Sequence, residues 1–329
     1  MTAYSAGAPL VASRSLARQI GGAVVLGLPA VLAGWPLVVP NRFLLTIGTL
    51  ILLGAIGATS LHLIIRTGQI SFGHAAFAGV GSYSCVLAVT KLGLSPFAGL
   101  LAGIAAPALV ALLIGPVVLR LTGKYFVLVT FLLGEIIRMG FVECISITGG
   151  SNGISGIPPL HPALASPLAT YYVCLVAAAL CVGLCARILA SEVGCTMDSV
   201  REAPSLAECS GVPVIRLKVT IFVLACAIAG LYGGLTAFFL GYIDPSTFSM
   251  ALSLNLVVMN VIGGMYSLAG PLIGTVFIVA LPELLRAYVE LQQVLFGIIL
   301  IVVMAAFPGG MVDILARLRS RIVRWRQGQ

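Results

Sequence analysis

The sequence predicts an all-α polytopic membrane protein with about ten transmembrane helices, and three observations lead to this fold class. Of its 329 residues, 60% are hydrophobic and only 9% are charged, whereas a typical soluble domain has about 25% charged residues. The apolar residues are gathered in runs of about 20, the length that a helix needs to cross the hydrocarbon core of a bilayer. The 38 glycines and 17 prolines fit such helices, in which both residues are more frequent than in soluble ones. Lipid must therefore solvate much of the chain.

Ten apolar runs are candidate spans. They cover residues 20–39, 43–65, 72–90, 96–118, 124–143, 168–190, 219–240, 250–266, 268–285 and 291–307. The third, eighth and ninth are short or are interrupted by Gly, Ser or Pro. The runs divide the chain into an N-terminal tail (1–19), a transmembrane domain (20–308) and a basic C-terminal tail (309–329), with no cleavable signal peptide predicted.

Basic residues predict the orientation, because Lys and Arg are enriched in cytoplasmic loops. They occur before the first span, around the loop after the sixth and after the last: Arg14, Arg18, Arg187, Arg201, Arg216, Lys218, Arg317, Arg319, Arg321, Arg324 and Arg326. Even numbers of spans separate these regions, so both termini are predicted to be cytoplasmic. Segments 144–167 and 241–249, on the opposite side, contain no Lys or Arg. The net charge of +8 is therefore interpreted as a signal for membrane orientation and not for binding to nucleic acid. The basic C-terminal tail is predicted to form an amphipathic helix on membrane lipid.

The pattern of reactive side chains does not predict an enzyme. The eight cysteines and three histidines have no metal-ligand or redox spacing, and no nucleophile triad or Walker sequence occurs. We therefore predict no catalytic residue, no metal site and no cofactor. A lipid-modifying membrane enzyme would need a polar catalytic cluster at one interface, and the sequence offers none.

Polar residues inside apolar spans need an explanation, because they are expensive in lipid. The first group opens the third span, where Gln69, Ser71, Gly73 and His74 lie in the segment Gly68–His74. Its glycines permit a break in the helix, and an irregular backbone at membrane depth occurs beside a cavity or inside protein. These residues either line a solute pathway or join neighbouring helices by hydrogen bonds.

The second group is Glu135 and Arg138 in the fifth span. Three residues apart, they share a helix face and are expected to form an ion pair. The pair is structural, or it binds a zwitterionic solute directly. Proton coupling through Glu135 is disfavoured, because an adjacent Arg lowers the pKa of a carboxyl group.

Two polar loops are also candidates for function. The glycine-rich segment Thr148–Pro159 contains Asn152 and is predicted to be a structured outer gate or a docking surface. The cytoplasmic loop 191–217 is a solvated helical loop or a handle for a cytoplasmic partner. Its candidate residues are Arg201, Glu202, Glu208 and Gly211.

Several motifs together resemble the branched-chain amino acid ABC transporter permeases of the LivM type. The motifs occur in the order of that family over about residues 43–308: Gly68–Phe77, Gly134–Arg138, Thr148–Ile154, Ala207–Gly211 and Gly263–Gly274, with Gly241–Pro245 also similar. The sequence departs from the family pattern at His62, where Asn is usual, at Pro204 and Ser205 in the cytoplasmic loop, and at Met265. These departures leave the identity of the solute open.

The resemblance implies a permease subunit of an ATP-binding cassette importer in the bacterial inner membrane. Such a subunit is paired with a second homologous permease, two cytoplasmic ATP-binding subunits and a periplasmic solute-binding protein, and ATP hydrolysis takes place in the partner subunits. The resemblance further implies that the loop with Arg201, Glu202, Glu208 and Gly211 couples to the ATPase. Branched-chain amino acids are the first expected solutes, with urea, amides or aromatic acids as alternatives. A self-sufficient secondary transporter is the less favoured function, because few carboxylates lie inside the spans.

Overall fold

The described part of the protein is built almost entirely of α-helices. The computed structural model describes residue 34 and residues 41–161, 166–285, 292–306 and 310–312. The helices are α1 (Arg42–Arg66), α2 (His74–Thr90), α3 (Pro96–Val118), α4 (Lys124–Glu143), α5 (Ile145–Thr148), α6 (Pro167–Ala190), α7 (Glu192–Glu202), α8 (Pro204–Cys209), α9 (Val214–Leu240), α10 (Met250–Gly263), α11 (Ala269–Leu284) and α12 (Gln292–Ala306). A 3₁₀ turn at Gly150–Asn152 and two strands, β1 (Ile154–Ser155) and β2 (Tyr242–Ile243), complete the described elements. The predicted all-α class is confirmed.

Five helices are long and apolar enough to cross a membrane, namely α1, α3, α4, α6 and α9. Each coincides with a predicted span. Helix α9 begins at Val214 instead of residue 219, because a run of apolar residues marks only the hydrocarbon-embedded part of a helix that continues into the interface. The N-terminal tail, the predicted first span except residue 34 and the C-terminal tail except residues 310–312 lie outside the described residues.

The interrupted third and eighth spans form short helices. Helix α2 has 17 residues and α10 has 14, and described non-helical residues flank both. At 1.5 Å per residue they extend only about 21 to 26 Å, less than the thickness of the hydrocarbon core of about 30 Å. Helix α2 begins at His74 instead of residue 72, after Gly73. Helix α10 begins at Met250 as predicted but ends at Gly263 instead of residue 266, because Gly264 adopts a φ of +126°.

Helices α1 and α9 form the centre of the bundle, with α2 and α3 against α9, and α6, α10 and α11 against α1. Small residues let the backbones of α2, α3 and α9 approach each other. A Cβ atom on Gly81 would lie 2.7 Å from the Gly103 carbonyl oxygen. A Cβ atom on Gly230 would overlap that same oxygen, so these positions cannot carry a side chain.

Replacing Gly230 with Val is therefore expected to separate α9 from α3 and to destabilise the fold severely. Overpacking typically costs about 1–3 kcal/mol, and here the obstacle is backbone that cannot move aside. The thermal midpoint of the purified chain in detergent measures the effect. Gly183→Val on α6 is the matched control, because a Cβ atom there meets open space; an equal loss in both variants would contradict the packing argument.

Contacts between loops group the described segments into two ends. At one end, Lys91 donates a hydrogen bond to the Ser146 carbonyl oxygen at 2.7 Å, and β1 pairs antiparallel with β2. At the other end, Arg66 donates to the Tyr266 carbonyl oxygen at 2.7 Å. In the predicted topology, the segments that connect successive spans alternate between the two sides of the membrane. The segments that are in contact at each end belong to the same predicted side. The short β-ladder has no counterpart in the prediction, because two-residue strands leave no periodic signal.

Candidate functional site: a membrane recess and a coupling loop

The connection between α1 and α2 enters the membrane-level part of the bundle. Residues 67–73 are not helical, and Gly68 adopts a φ of +85° that favours glycine. The first residue of α2, His74, places its Nε2 atom 2.7 Å from the Ser60 hydroxyl oxygen on α1. Ser60 precedes the end of α1 at Arg66 by six residues, or about 9 Å of helix. Helix α2 therefore begins deeper in the bundle than the point at which α1 ends.

Neighbouring helices satisfy the backbone groups that this break exposes. The Phe72 amide donates to the Thr130 hydroxyl at 3.3 Å, and the Ala75 amide donates to the Ser253 hydroxyl at 3.0 Å. Gly73 packs directly on the backbone of α4, because a Cβ atom there would overlap the Thr130 carbonyl oxygen. The arrangement meets the requirement that irregular backbone at membrane depth be enclosed by protein or border a cavity.

A small recess lies where α2 and α10 begin beside α4. Its lining residues come from these three helices and from the segments before α2 and α10: Phe72, Gly73, Ala76, Phe131, Gly134, Glu135, Phe248, Ser249, Met250 and Ser253. The recess thus brings together two predicted pathway residues, Gly73 and Glu135. Neither helix receives a hydrogen bond from the side chain of its own N-cap residue, Gly73 or Ser249.

Glu135 and Arg138 form the predicted ion pair on α4. The Arg138 Nε atom donates to the two Glu135 carboxylate oxygens at 2.9 and 3.0 Å, and a second guanidinium nitrogen also bonds to this carboxylate. The side chains keep 35% and 23% of their surface exposed. The pair lies in the middle part of a 20-residue apolar helix, where exposed charge facing lipid is strongly unfavourable. This face of α4 therefore meets protein or an aqueous path.

The other predicted pathway residues of the first group are buried and do not line the recess. Gln69 donates from its Nε2 atom to the Leu121 carbonyl oxygen at 3.3 Å. Within the described part of the chain, Gln69 Oε1, Ser71 Oγ and His74 Nδ1 have no hydrogen-bond partner. The Ser60 hydroxyl donates to the Gly57 carbonyl oxygen at 2.7 Å, so His74 Nε2 is the donor to Ser60. In this conformation His74 joins α2 to α1.

Two further buried polar residues, His62 and Asn260, were not among the predicted site residues. His62 Nδ1 lies 3.1 Å from the Asn260 Oδ1 atom, and the Asn260 amide donates to the carbonyl oxygens of Ala58 and Leu256, both at 2.9 Å. This network joins α1 to α10. The signal for Asn260 was an amide inside an apolar run, which does not by itself reveal its partner on another helix.

Asn152 lies apart from the recess, in the loop that the sequence predicts to be on the outer side. It is exposed, and its carbonyl oxygen accepts a hydrogen bond from the Tyr242 hydroxyl at 3.3 Å. Asp244 closes the neighbouring turn by accepting from Ser246 and Thr247. Burial acts to raise the pKa of Asp244, but these hydrogen bonds lower it below its ordinary value. The ladder of β1 and β2 holds the two outer loops together.

Loop 191–217, which the sequence predicts to be cytoplasmic, is folded into α7, α8 and the first turn of α9. It has a small core of its own, made by Val200, Ala207 and Val214. Arg201 and Glu202 lie in the last turn of α7, where a guanidinium nitrogen of Arg201 is 3.2 Å from a carboxylate oxygen of Glu202. Glu208 is exposed on α8. Gly211 follows α8 with a φ of +87°, and a Cβ atom there would meet open space.

Comparison with known proteins identifies the family. Residues 43–304 match the family described as branched-chain amino acid transport system / permease component. The chain belongs to this permease family. The match covers α1 to α12 except the first residue of α1 and the last two residues of α12, and with them the recess and loop 191–217. No solved structure is similar.

Curated relatives agree with this assignment. The LivM permease proteins of the high-affinity branched-chain amino acid transport systems of Salmonella typhimurium and Escherichia coli are each 28% identical to the chain, over 88% and 84% of it and 74% and 72% of their own lengths. A probable LivH permease of Methanocaldococcus jannaschii is 25% identical over 73% of the chain and 78% of its own. With its apolar helices, the permease is a multi-pass inner-membrane protein.

Proposed function

We propose that this permease forms half of the membrane channel of an ATP-driven importer for a branched-chain amino acid or a related small polar solute. A second homologous permease supplies the other half, two cytoplasmic ATP-binding subunits supply the energy, and a periplasmic solute-binding protein delivers the solute. Ten spans with both termini in the cytoplasm complete the proposed topology. The family match over residues 43–304 is the observation that carries the proposal.

The recess is proposed as a point on the solute pathway. Two helices, α2 and α10, begin at its wall, and the partial positive charge of a helix N-terminus attracts a carboxylate group. Broken helices that start near the bilayer midplane form the substrate sites of many transporters. Glu135 supplies the opposite charge for an ammonium group. An amino acid zwitterion carries one charge of each sign, so it can replace either partner of the pair between Glu135 and Arg138.

The proposed pathway runs between the two permeases, along the outward face of α4. Leu128, Leu132, Ile136 and Met139 are exposed there, next to the ion pair. A purely apolar face would suit lipid, but the charged pair beside it does not. The second permease is therefore the expected cover for this face.

Isolation of the intact complex tests the proposal. The tagged permease is extracted from its native membranes in mild detergent, and its partners are identified by mass spectrometry. We expect two ATP-binding subunits and a second permease. Recovery of the permease alone, under conditions that preserve known importer complexes, would contradict the proposal and favour a secondary transporter.

The cytoplasmic loop is proposed to dock on the ATP-binding subunits, and Gly211 tests this role. Replacing Gly211 with Val strains a backbone that favours glycine at φ +87° without creating a clash. We expect normal membrane insertion but a loss of solute-stimulated ATP hydrolysis of about 5-fold or more. Gly156→Val in the outer loop is the matched control, since its φ is +73° with open space around it. Unchanged coupling in the Gly211 variant would count against docking through this loop.

A further inference from the structure

The last turn of α7 is joined by charged side chains to α1 and to the turn between α10 and α11. Asp198 accepts a hydrogen bond from Arg66 at 2.6 Å, and its other carboxylate oxygen lies 3.3 Å from an Arg201 nitrogen. Arg66 also donates to the Tyr266 carbonyl oxygen at 2.7 Å. The Arg201 guanidinium lies 4.7 Å from the centre of the Tyr266 ring. These four residues are named the arginine–aspartate cluster.

The cluster depends on Asp198, because one carboxylate serves two guanidinium groups. Arg66 and Arg201 keep only 13% and 19% of their side-chain surface exposed, against 39% for Asp198. Partly buried cations need an opposite charge nearby, and charge-assisted bonds to carboxylates are the strong ones. Without Asp198, Arg66 would lose its carboxylate partner and would face Arg201, which keeps its contact with Glu202 at 3.2 Å.

The cluster is also in direct contact with the segment that leads to the recess. A Cβ atom on Gly68 would lie 3.3 Å from the Cα and Cγ atoms of Arg201, so the turn after α1 packs on the backbone of α7. The non-helical residues 67–73 start at this contact and end at Gly73, in the wall of the recess. Helix α10 also reaches both places, through Ser253 at the recess and through the turn with Tyr266 after its end.

We infer that Asp198 is a positioning residue that couples the ATP-driven movement of α7 to the recess. The inference rests on the proposed function. When the ATP-binding subunits shift α7, the cluster carries the end of α1 and the turn after α10 with it. Two walls of the recess, residues 72–73 and the start of α10, are continuous with those elements, so their spacing changes with the movement of α7.

The test compares solute transported per ATP hydrolysed in the complete complex, reconstituted in proteoliposomes. Asp198→Asn is expected to lower this ratio about 5- to 100-fold while the complex still assembles and hydrolyses ATP. Asp198→Glu keeps the charge and is expected to restore most of the ratio.

A double-mutant cycle separates coupling from mere loss of charge. Arg66→Gln combined with Asp198→Asn is expected to be no worse than either single change, because both remove the same connection. Additive losses, or an unchanged ratio in Asp198→Asn, would overturn the inference. If Asp198→Asn does not assemble, Arg66→Gln replaces it, since it removes the guanidinium that bonds to both Asp198 and the Tyr266 carbonyl oxygen; full coupling in that variant would overturn the inference.

Failure of the inference is distinguishable from failure of the proposed function. The proposed function fails if the unmodified permease recovers no ATP-binding subunits, an outcome that is known before any variant is made. The inference fails only in a complex that assembles and transports.

Discussion

Glu135→Gln is expected to abolish most transport, because it leaves Arg138 without its partner at membrane depth. A hydrogen bond to a charged group contributes about 1.5–3 kcal/mol, which corresponds to about 10- to 150-fold in affinity. Uptake by the reconstituted complex at a fixed solute concentration measures the loss. The thermal midpoint of the complex, measured in parallel, shows how much of the loss of uptake comes from destabilisation of the complex.

The double variant Glu135→Gln/Arg138→Gln separates the two roles considered for the pair. If the pair is structural, removing both charges relieves the unpaired Arg138, so stability and transport both recover. If the pair binds the zwitterion, stability recovers but transport does not. We expect the second result, because Glu135 lines the recess and both side chains keep an exposed surface. Recovery of transport in the double variant would contradict a role in solute binding.

Gly73→Ala is the second change with a large expected effect. The added methyl group would overlap the Thr130 carbonyl oxygen and lie 3.5 Å from the Gly134 amide nitrogen. Because both neighbours are backbone atoms of α4, the start of α2 must move away and the recess changes shape. Overpacking of about 1–3 kcal/mol predicts a loss of transport of about 5- to 150-fold.

Gly140→Ala is the control for this prediction. It adds the same methyl group to α4 at a position where a Cβ atom meets open space. We expect transport close to that of the unmodified complex. Equal transport in the Gly73 and Gly140 variants would show that the contact between α2 and α4 does not shape the pathway.

Long elements could be predicted from the sequence because hydrophobic length alone reports them. The spans at 43–65 and 96–118 match α1 and α3 closely. The break before α2 was also visible, as glycines at 68 and 73 inside an apolar region. The count of ten spans stays a prediction, since only residue 34 of the first span is among the described residues.

Contacts between distant residues could not be predicted in the same way. Glu135 and Arg138 are one helical turn apart, so their pairing follows from spacing. Arg66 and Asp198 are far apart in sequence, and a surface-like Asp in a polar loop gives no indication of its partner. The same holds for Ser253, which completes the start of α2 from another helix. Such pairs become visible only once the helices are placed in space.

Solute uptake by proteoliposomes that contain the whole complex shows whether the permease works as part of an ATP-driven importer. The vesicles enclose ATP, and labelled leucine is offered outside together with the purified solute-binding protein of the same importer. We expect uptake that requires enclosed ATP, the ATP-binding subunits and the binding protein. Uptake by the permease alone, driven by a proton or sodium gradient and indifferent to ATP, would contradict it.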